Sequence, residues 1–192
     1  MELKTALLLI DIQNDYFEEG KNPLTGSLEA SLNAKELLTY FRENEWPVVH
    51  IQHVANREAA TFFVPGTEGA EIHDNVKPLV GEKIFVKHYP NSFRETGLND
   101  YLTANGINDL ILCGMMTHMC VDATVRAAKD LGYDCTVIKD ACATKSLQIK
   151  NRTVGAEEVQ TAFWAALSYY YSIVLSTETY LNGLKETEMN ES

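Results

Sequence analysis

The chain has 192 residues, of which 45% are hydrophobic and 22% charged, and its net charge is −11. This length suits one domain with a single core, and the composition excludes a disordered chain or a coiled coil. The negative charge argues against nucleic acid and anionic membrane surfaces as partners, because both would repel the protein.

Short apolar runs alternate with longer amphipathic segments in the N-terminal half. The continuous apolar run at residues 6–12 predicts a strand that is covered on both faces. Helical spacing of large apolar residues predicts a helix over 28–44, which Pro47 ends, and residues 48–54 are typical of a second strand. Residues 55–80 are rich in proline, glycine and charge, so we predict a long loop with at most one short helix.

The C-terminal half continues the same alternation. Its predicted elements are strands at 83–87, 109–113, 135–138 and 172–176, and helices at 98–105, 120–131 and 157–169. The whole pattern predicts an α/β fold: a doubly wound, mostly parallel six-stranded sheet with helices on both faces, in a Rossmann-like three-layer arrangement. We predict a single domain over residues 1–181, followed by a polar and frayed C-terminal tail at 182–192.

The chain shows no sign of a membrane span or an export signal. The N-terminal apolar run is too short to cross a bilayer, and it lacks the basic start and cleavage site of a signal peptide. We therefore expect a cytoplasmic protein. Because the cytosol is reducing and no pair has Cys-x-x-Cys spacing, we expect four free thiols, at Cys113, Cys120, Cys135 and Cys142.

Three ionisable side chains stand at or near the ends of predicted strands. Asp11 interrupts the end of the first strand, Lys87 closes the third, and Cys120 follows the fourth after a six-residue turn. In a doubly wound sheet, the functional site lies beyond the carboxyl ends of the central strands. Taken singly, these residues are a turn residue, a surface charge and a core thiol. Together they supply a base, a cation and a soft nucleophile for acyl transfer.

The position of Cys120 predicts its charge state. If this residue lies in the first turn of its helix, the helix dipole and free backbone N–H groups favour its thiolate. A nearby Lys87 ammonium would lower the pKa of the thiol further. Asp11 would accept the thiol proton and pass it to a leaving group.

Four segments of the sequence are distinctive: LLLIDIQNDYF at the start, PGTEGAEIH in the long loop, VKHYPNSFRETGL around Lys87, and CGMMTHMCVDATVRAAKDLGY followed by VIKDACAT. In this order they resemble the isochorismatase-like cysteine hydrolases, a family that includes nicotinamidases, N-carbamoyl amidases and streptothricin hydrolases. The resemblance extends over about residues 7–176. It implies a catalytic triad of Asp11, Lys87 and Cys120 that cleaves a small amide, ureido or lactam-type C–N bond through an acyl-thioester.

The resemblance also implies further features of the site. A cis peptide bond is expected at Met115–Met116, with the N–H groups of Met116 and Cys120 forming an oxyanion hole. Members of the family commonly form dimers or tetramers, so a homo-oligomer is expected. We also predict a set of pocket-lining residues from their positions near the triad or in the long loop, namely Gln13, Phe17, Phe62, Tyr89, Phe93 and His118.

The metal-binding motif of nicotinamidases is incomplete in this chain. Where those enzymes carry an Asp-x-His pair after the second strand, this sequence reads Ile51-Gln52-His53, and residues 61–65 add no second imidazole. Because divalent metals need several converging ligands, we expect no metal. No glycine-rich nucleotide-binding motif is present, so we expect no cofactor and a small-molecule substrate as the partner.

Three other functions remain open from the sequence. A vinyl-ether hydrolase of the isochorismatase type would leave Cys120 as a bystander, since such enzymes resemble the chain in fold but lack the cysteine. A thiol redox sensor would use a low-pKa Cys120, but no resolving cysteine adjoins it. A non-catalytic binding module would not require all three ionisable groups. The presence of Cys120 favours cleavage of a C–N bond.

Overall fold

The computed structural model describes residues 4–191, and it confirms the predicted α/β fold. Its strands are β1 (Thr5–Ile10), β2 (Val48–His53), β3 (Lys83–Lys87), β4 (Asp109–Met115), β5 (Asp134–Ala143), β6 (Leu147–Ile149), β7 (Arg152–Val154) and β8 (Ile173–Leu175). Six of them form one parallel sheet in the order β3-β2-β1-β4-β5-β8. The other two, β6 and β7, pair as an antiparallel hairpin.

Helices flank the sheet. They are α1 (Ser27–Glu43), α2 (Leu98–Ala104), α3 (Asp122–Asp130), α4 (Ala156–Ser168) and α5 (Thr177–Glu191). A π-helical turn, Thr117–Val121, directly precedes α3. Helix α1 packs against α5, and α3 packs against α4.

The position of β1 at the centre of the sheet explains why its sequence is apolar without interruption. Residues 6–10 are at most 1% exposed, because β2 and β4 pair with the two edges of β1 and other elements cover its two faces. Helix α1 contributes an apolar stripe to the same core at helical spacing, through Ala30, Ala34, Leu37, Leu38 and Phe41.

The sheet order fixes the position of the functional site. From β1 the chain passes to β2 and β3 on one side, and it later returns to β4, β5 and β8 on the other. The switch point therefore lies between β1 and β4, and ligands in such sheets bind beyond the carboxyl ends of the strands at this point. Residues that follow β1 and β4 meet there.

Several predicted boundaries differ from the structure. Strand β5 extends to Ala143, beyond the predicted end at residue 138, after a register shift against β4. Helix α5 runs from Thr177 to Glu191 where the sequence pattern indicated a frayed tail from residue 182. Its start is fixed by the Thr177 N–H and hydroxyl, which both donate to Asp140 Oδ1 at 2.8 and 2.9 Å. The domain division at 181/182 stays a prediction.

Every helix within residues 4–191 is too short or too polar to span a bilayer.

Glu82 joins the segment before β3 to α1 and β2. Its carboxylate accepts hydrogen bonds from Arg42 Nε at 2.7 Å and from the Leu79 N–H at 2.8 Å, and it lies 2.9 Å from His50 Nε2. Burial alone would raise the pKa of Glu82, but these hydrogen bonds outweigh burial and lower it to about 2. The stabilisation from this carboxylate is therefore complete above its ordinary pKa of 4.5 and is lost as the pH falls towards 2.

We expect Glu82→Gln to lower the free energy of unfolding by about 1–3 kcal/mol at pH 7, because Arg42 and the buried His50 lose a charged acceptor. The difference between variant and wild type should shrink as the pH falls from 4.5 to 2. Urea denaturation across this pH range measures both effects. Glu36→Gln, at an exposed position of α1, is the matched control and should change stability by less than about 0.5 kcal/mol. An equal loss at pH 3 and pH 7 would contradict the assignment.

Candidate active site

Asp11, Lys87 and Cys120 come together at the carboxyl ends of the parallel strands. Asp11 directly follows β1, Lys87 is the last residue of β3, and Cys120 lies in the π-helical turn after β4. Their exposed fractions are 0%, 0% and 3%. Lys87 Nζ is 2.7 Å from Asp11 Oδ2, and Cys120 Sγ lies within 4.8 Å of an Asp11 carboxylate oxygen. The structure thus brings a carboxylate, an ammonium and a thiol into one buried cluster.

Lys87 has to reach across a neighbouring strand to meet Asp11. Strand β3 is separated from β1 by β2, and adjacent strands lie about 4.8 Å apart. In this register Lys87 is paired with His53, the last residue of β2, and its Nζ lies 3.5 Å from His53 Nδ1. The long aliphatic stem of lysine suits this distance, which no shorter cationic side chain would span.

Asp11 has an unusual backbone conformation. Its φ is 51°, in the left-handed region that few non-glycine residues adopt and that Asp tolerates better than most. The Asp11 N–H still donates to the Ile51 carbonyl at 3.0 Å, so the chain turns only after this bond to β2. The turn ends β1 and brings the carboxylate within reach of Lys87.

Gln13 secures the same turn. Its side-chain amide donates to the His53 carbonyl at 2.8 Å and to the Ala70 carbonyl at 2.7 Å, while its oxygen accepts the His53 N–H at 2.7 Å. Gln13 itself is fully buried. The prediction that it lines the substrate pocket is therefore wrong, because its polar atoms are used to join the turn after β1 to the end of β2.

The Lys87 ammonium is solvated by the protein. It donates to the carbonyls of Tyr89 and Pro90 at 3.1 and 3.0 Å, in addition to its contact with Asp11. Burial alone would lower the pKa of Lys87, but the negative charge of Asp11 outweighs burial and raises it above the ordinary value. Lys87 is consequently a fixed positive charge at neutral pH.

The Cys120 thiol is held in its protonated form. Burial, followed by the charge of Asp11, raises the pKa of Cys120 well above the ordinary value, and the opposing effect of Lys87 does not compensate. The sequence prediction of a thiolate favoured by the helix dipole and Lys87 is wrong for the free protein. Cys120 lies in a π-helical turn ahead of α3, and the cost of burying a charged sulfur exceeds the attraction to the ammonium.

Gly114 allows β1 and β4 to approach at the switch point. Its φ is 133°, and a Cβ at this position would overlap the carbonyl oxygen of Ile10. The following Met115–Met116 peptide bond is cis. Met116 then precedes the π-helical turn and, with Cys120, lines a cavity above the cluster.

This cavity has a volume of about 280 Å³. Tyr16, Phe62 and Phe63 form one wall, with ring centroids 4.6 Å apart for Tyr16 and Phe63 and 5.0 Å for Phe62 and Phe63. Cys120 and Met116 form part of its lining beside the triad. A volume just below the range of about 300–1,000 Å³ for ligand pockets fits a small molecule.

Of the predicted pocket residues, Phe62 lines this cavity and the others lie elsewhere among the described residues. Phe17 stacks on His73 with centroids 3.7 Å apart, in a separate groove next to α1. The ring of Tyr89 packs against the Arg94 guanidinium at 3.6 Å, so only its carbonyl serves the site.

Phe93 and His118 also point away from the cavity. Phe93 packs on Tyr133 with centroids 5.9 Å apart. His118 Nδ1 lies 2.6 Å from the Thr144 hydroxyl, and burial followed by the charge of Lys145 lowers its pKa. Its proximity to Cys120 in the sequence therefore does not produce a Cys-His dyad, since the π-helical turn directs the two side chains to different neighbours.

Several residues that line the cavity were not predicted from the sequence, among them Tyr16, His53 and Arg57. His53 ends β2, between the strands that carry Asp11 and Lys87, so the rule on strand ends could have identified it. Tyr16 precedes Phe17 in a short 3₁₀ turn, Asn14–Tyr16, and only the geometry of this turn decides which ring faces the cavity. Arg57 lies in the long loop, where the sequence predicted only Phe62 as a pocket residue.

Three side chains could in principle offer ligands to a metal ion, because donor atoms of Asp11, His53 and Cys120 lie within 4.8 Å of one another. The Lys87 ammonium contacts Asp11 at 2.7 Å and opposes a second cation in the same space. The residues therefore do not fit a divalent metal, and its expected absence stays a prediction.

Comparison with known proteins identifies a family for this arrangement. Residues 5–179 match the family model of the isochorismatase domain. The uncharacterised isochorismatase family protein YddQ of Bacillus subtilis is 52% identical over 179 residues, which cover 93% of this chain and 99% of YddQ. A streptothricin hydrolase of Streptomyces noursei is 32% identical over 164 residues, or 83% of this chain and 58% of that protein. The crystal structure of an isochorismatase from Pseudomonas putida is similar with a TM-score of 0.86 and 34% identity, covering 92% of this chain and 89% of that one.

We expect Lys87→Met to lower the free energy of unfolding by about 3–5 kcal/mol, because Asp11 is then buried without its cation. Adding Asp11→Asn to this variant should recover much of the loss, since no charge is left unpaired. Urea denaturation of both single variants and the double variant gives the coupling energy. Lys77→Met removes a cation from an exposed pair with Asp74 and should cost no more than about 1 kcal/mol. Purely additive effects of the two site substitutions would contradict a coupled buried pair.

Proposed function

Since the chain belongs to the isochorismatase family of hydrolases, we propose that it cleaves a small amide, ureido or lactam-type C–N bond, with Cys120 as the nucleophile. The observation that carries this proposal is the buried Asp11–Lys87 ion pair beside the thiol, next to a cavity of about 280 Å³. A relative named as a streptothricin hydrolase supports hydrolysis of a small molecule.

Acylation begins with the thiol proton. As Cys120 Sγ attacks the substrate carbonyl carbon, its proton passes to the Asp11 carboxylate, and the carbonyl π electrons move to the oxygen. The N–H groups of Met116 and Cys120 would stabilise this oxyanion, a contribution that typically amounts to about 10²–10³ in rate per donor. When the C–N bond breaks, the leaving nitrogen takes the proton from Asp11 and an acyl-thioester remains.

Deacylation repeats the same transfers with water. Water attacks the thioester carbonyl and gives a proton to Asp11. The tetrahedral intermediate then expels the Cys120 sulfur, which takes this proton back, and the carboxylic acid leaves. Asp11 is therefore base and acid in turn, and the free enzyme is restored.

Because the pKa of Cys120 is raised, the proposed reaction needs Asp11 as a base. Thiolate is scarce in the free protein at neutral pH, so attack has to be coupled to proton removal. Moving the proton from sulfur to carboxylate leaves the net charge of the cluster unchanged. Lys87 is close enough to stabilise the negative charge both on Asp11 before the transfer and on the sulfur after it. A buried site can carry out this step without taking up an additional charge.

The other functions considered from the sequence have less support. A thiol redox sensor requires an accessible cysteine of low pKa, whereas Cys120 is 3% exposed and its pKa is raised. Vinyl-ether hydrolysis gives no role to a thiol that lies beside a carboxylate and lines the cavity. The thiol itself favours the C–N reaction over these alternatives.

The proposal predicts that Cys120→Ala abolishes turnover, with a loss on the order of 10⁴ or more in kcat for a substrate found by screening amides and ureides. In the wild type, rapid quenching and mass spectrometry of peptides should show an acyl adduct on Cys120. Cys135→Ala, which removes another buried thiol at the amino end of β5, is the matched control and should retain activity. Full turnover by Cys120→Ala would refute the nucleophile assignment.

A further inference from the structure

The charge of the cavity is opposite to that of the protein. The chain has a net charge of −11, yet no carboxylate of the described residues lines the cavity, and Arg57 is its one arginine or lysine. Asp11 lies beneath the surface with no exposed area. A local positive site favours anionic ligands, which the negative net charge of the protein alone would not predict.

Arg57 is available for a ligand. It is exposed in the long loop, and none of the ion pairs within residues 4–191 involves it. Arg57 is also one of the residues that line the cavity. Its guanidinium is therefore within reach of a bound ligand, and its hydrogen-bond donors are unused by other described side chains.

The Tyr16 hydroxyl is a second unused donor. The residue is 1% exposed and lines the cavity, and its ring is fixed by Phe63 and Phe62 at centroid distances of 4.6 and 6.0 Å. The hydroxyl has no hydrogen-bond partner among the described residues. It is therefore free to donate a hydrogen bond to a molecule bound in the cavity.

The surroundings of Tyr16 keep it a neutral donor. Burial, followed by the proximity of Cys120, Asp11 and Asp15, raises the pKa of its phenol well above the ordinary value. Tyr16 and Cys120 line the same cavity. The Tyr16 hydroxyl is consequently suited to a substrate atom close to the scissile bond.

We propose that the cavity binds a small anionic amide: its apolar body lies against the aromatic wall, an acceptor near the scissile carbonyl takes a hydrogen bond from Tyr16, and a carboxylate pairs with Arg57. This assignment of substrate class rests on the function proposed above. The wall of Tyr16, Phe62 and Phe63 supplies apolar contact area, and the volume of about 280 Å³ limits the substrate to a small molecule.

The charge preference is tested with matched substrate pairs. A panel of small monoamides of dicarboxylic acids, such as 4-carbamoylbenzoate, is assayed beside the corresponding methyl esters, which differ in charge. The wild type should cleave the carboxylates with the higher kcat/KM. Arg57→Gln should lower kcat/KM for the carboxylates about 3- to 10-fold at low ionic strength and leave the esters unchanged, and Arg57→Lys should retain part of the preference.

Salt and a second arginine provide the controls. Added salt should raise KM for the carboxylates in the wild type and much less so in Arg57→Gln, because the exposed ion pair is screened. Arg152→Gln, which removes the same charge from the exposed strand β7, should behave as the wild type. The proposal would be overturned if Arg57→Gln lowered kcat/KM equally for carboxylates and esters, or for neither. It would also be overturned if the wild type cleaved no carboxylate of the panel faster than its ester.

Tyr16→Phe tests the inner contact, since it removes one oxygen and keeps the ring. We expect a loss of about 10- to 100-fold in kcat/KM for a cleaved substrate with no loss of stability in urea. Tyr133→Phe, whose hydroxyl donates to Asn99 outside the cavity, is the matched control. Activity of Tyr16→Phe within twofold of the wild type would overturn the role of the hydroxyl. An acyl adduct on Cys120 from neutral amides alone would reject the anionic class and leave the cysteine mechanism intact.

Discussion

The buried ion pair between Asp11 and Lys87 is the interaction on which the rest of the site depends. Two opposite charges lie 2.7 Å apart with no exposed area, and transferring them from water is costly. The protein offsets this cost with their mutual attraction and with the carbonyls of Tyr89 and Pro90, which accept from the ammonium. The parallel order β3-β2-β1 is needed to bring both residues to one edge of the sheet, and Gln13 joins the turn after β1 to the end of β2.

The same pair determines how the thiol can react. A cysteine beside a lysine is usually expected to be a thiolate, but in this cluster burial and the carboxylate outweigh the ammonium and keep Cys120 protonated. In the proposed mechanism the nucleophile is therefore generated only when Asp11 takes its proton. The three residues would then act as one unit of constant charge, and the cavity above them would select the substrate through residues that take no part in proton transfer.

Much of the fold could be predicted from the sequence because its signals were strong. The uninterrupted apolar residues of β1 reflect burial on both faces, and the polar residues at the ends of β1 and β3 led directly to Asp11 and Lys87. The β6–β7 hairpin was missed because its strands have three residues each and are largely exposed, so no alternation is visible. Helix α5 was missed because its composition is mostly polar.

The cavity lining was harder to predict, since it depends on turns and loops. Tyr16 and Phe17 are adjacent aromatics, and only the 3₁₀ turn places the first in the cavity and the second against His73. Phe62 was predicted from its position in the loop, but Arg57 in the same loop was not, because an isolated arginine in a charged loop has no distinguishing pattern.

The central claim is that burial and the charge of Asp11 together outweigh Lys87 and hold Cys120 as a thiol until substrate arrives. The most direct test is the pH dependence of Cys120 alkylation, measured in the wild type and in Asp11→Asn, with the rate of Cys120→Ala subtracted to remove the other cysteines. The account predicts that Cys120 titrates above its ordinary value of 9.0 in the wild type. In Asp11→Asn its pKa should fall, because Lys87 then acts on the sulfur without an opposing carboxylate. A wild-type thiolate at neutral pH, or an unchanged pKa in Asp11→Asn, would contradict it.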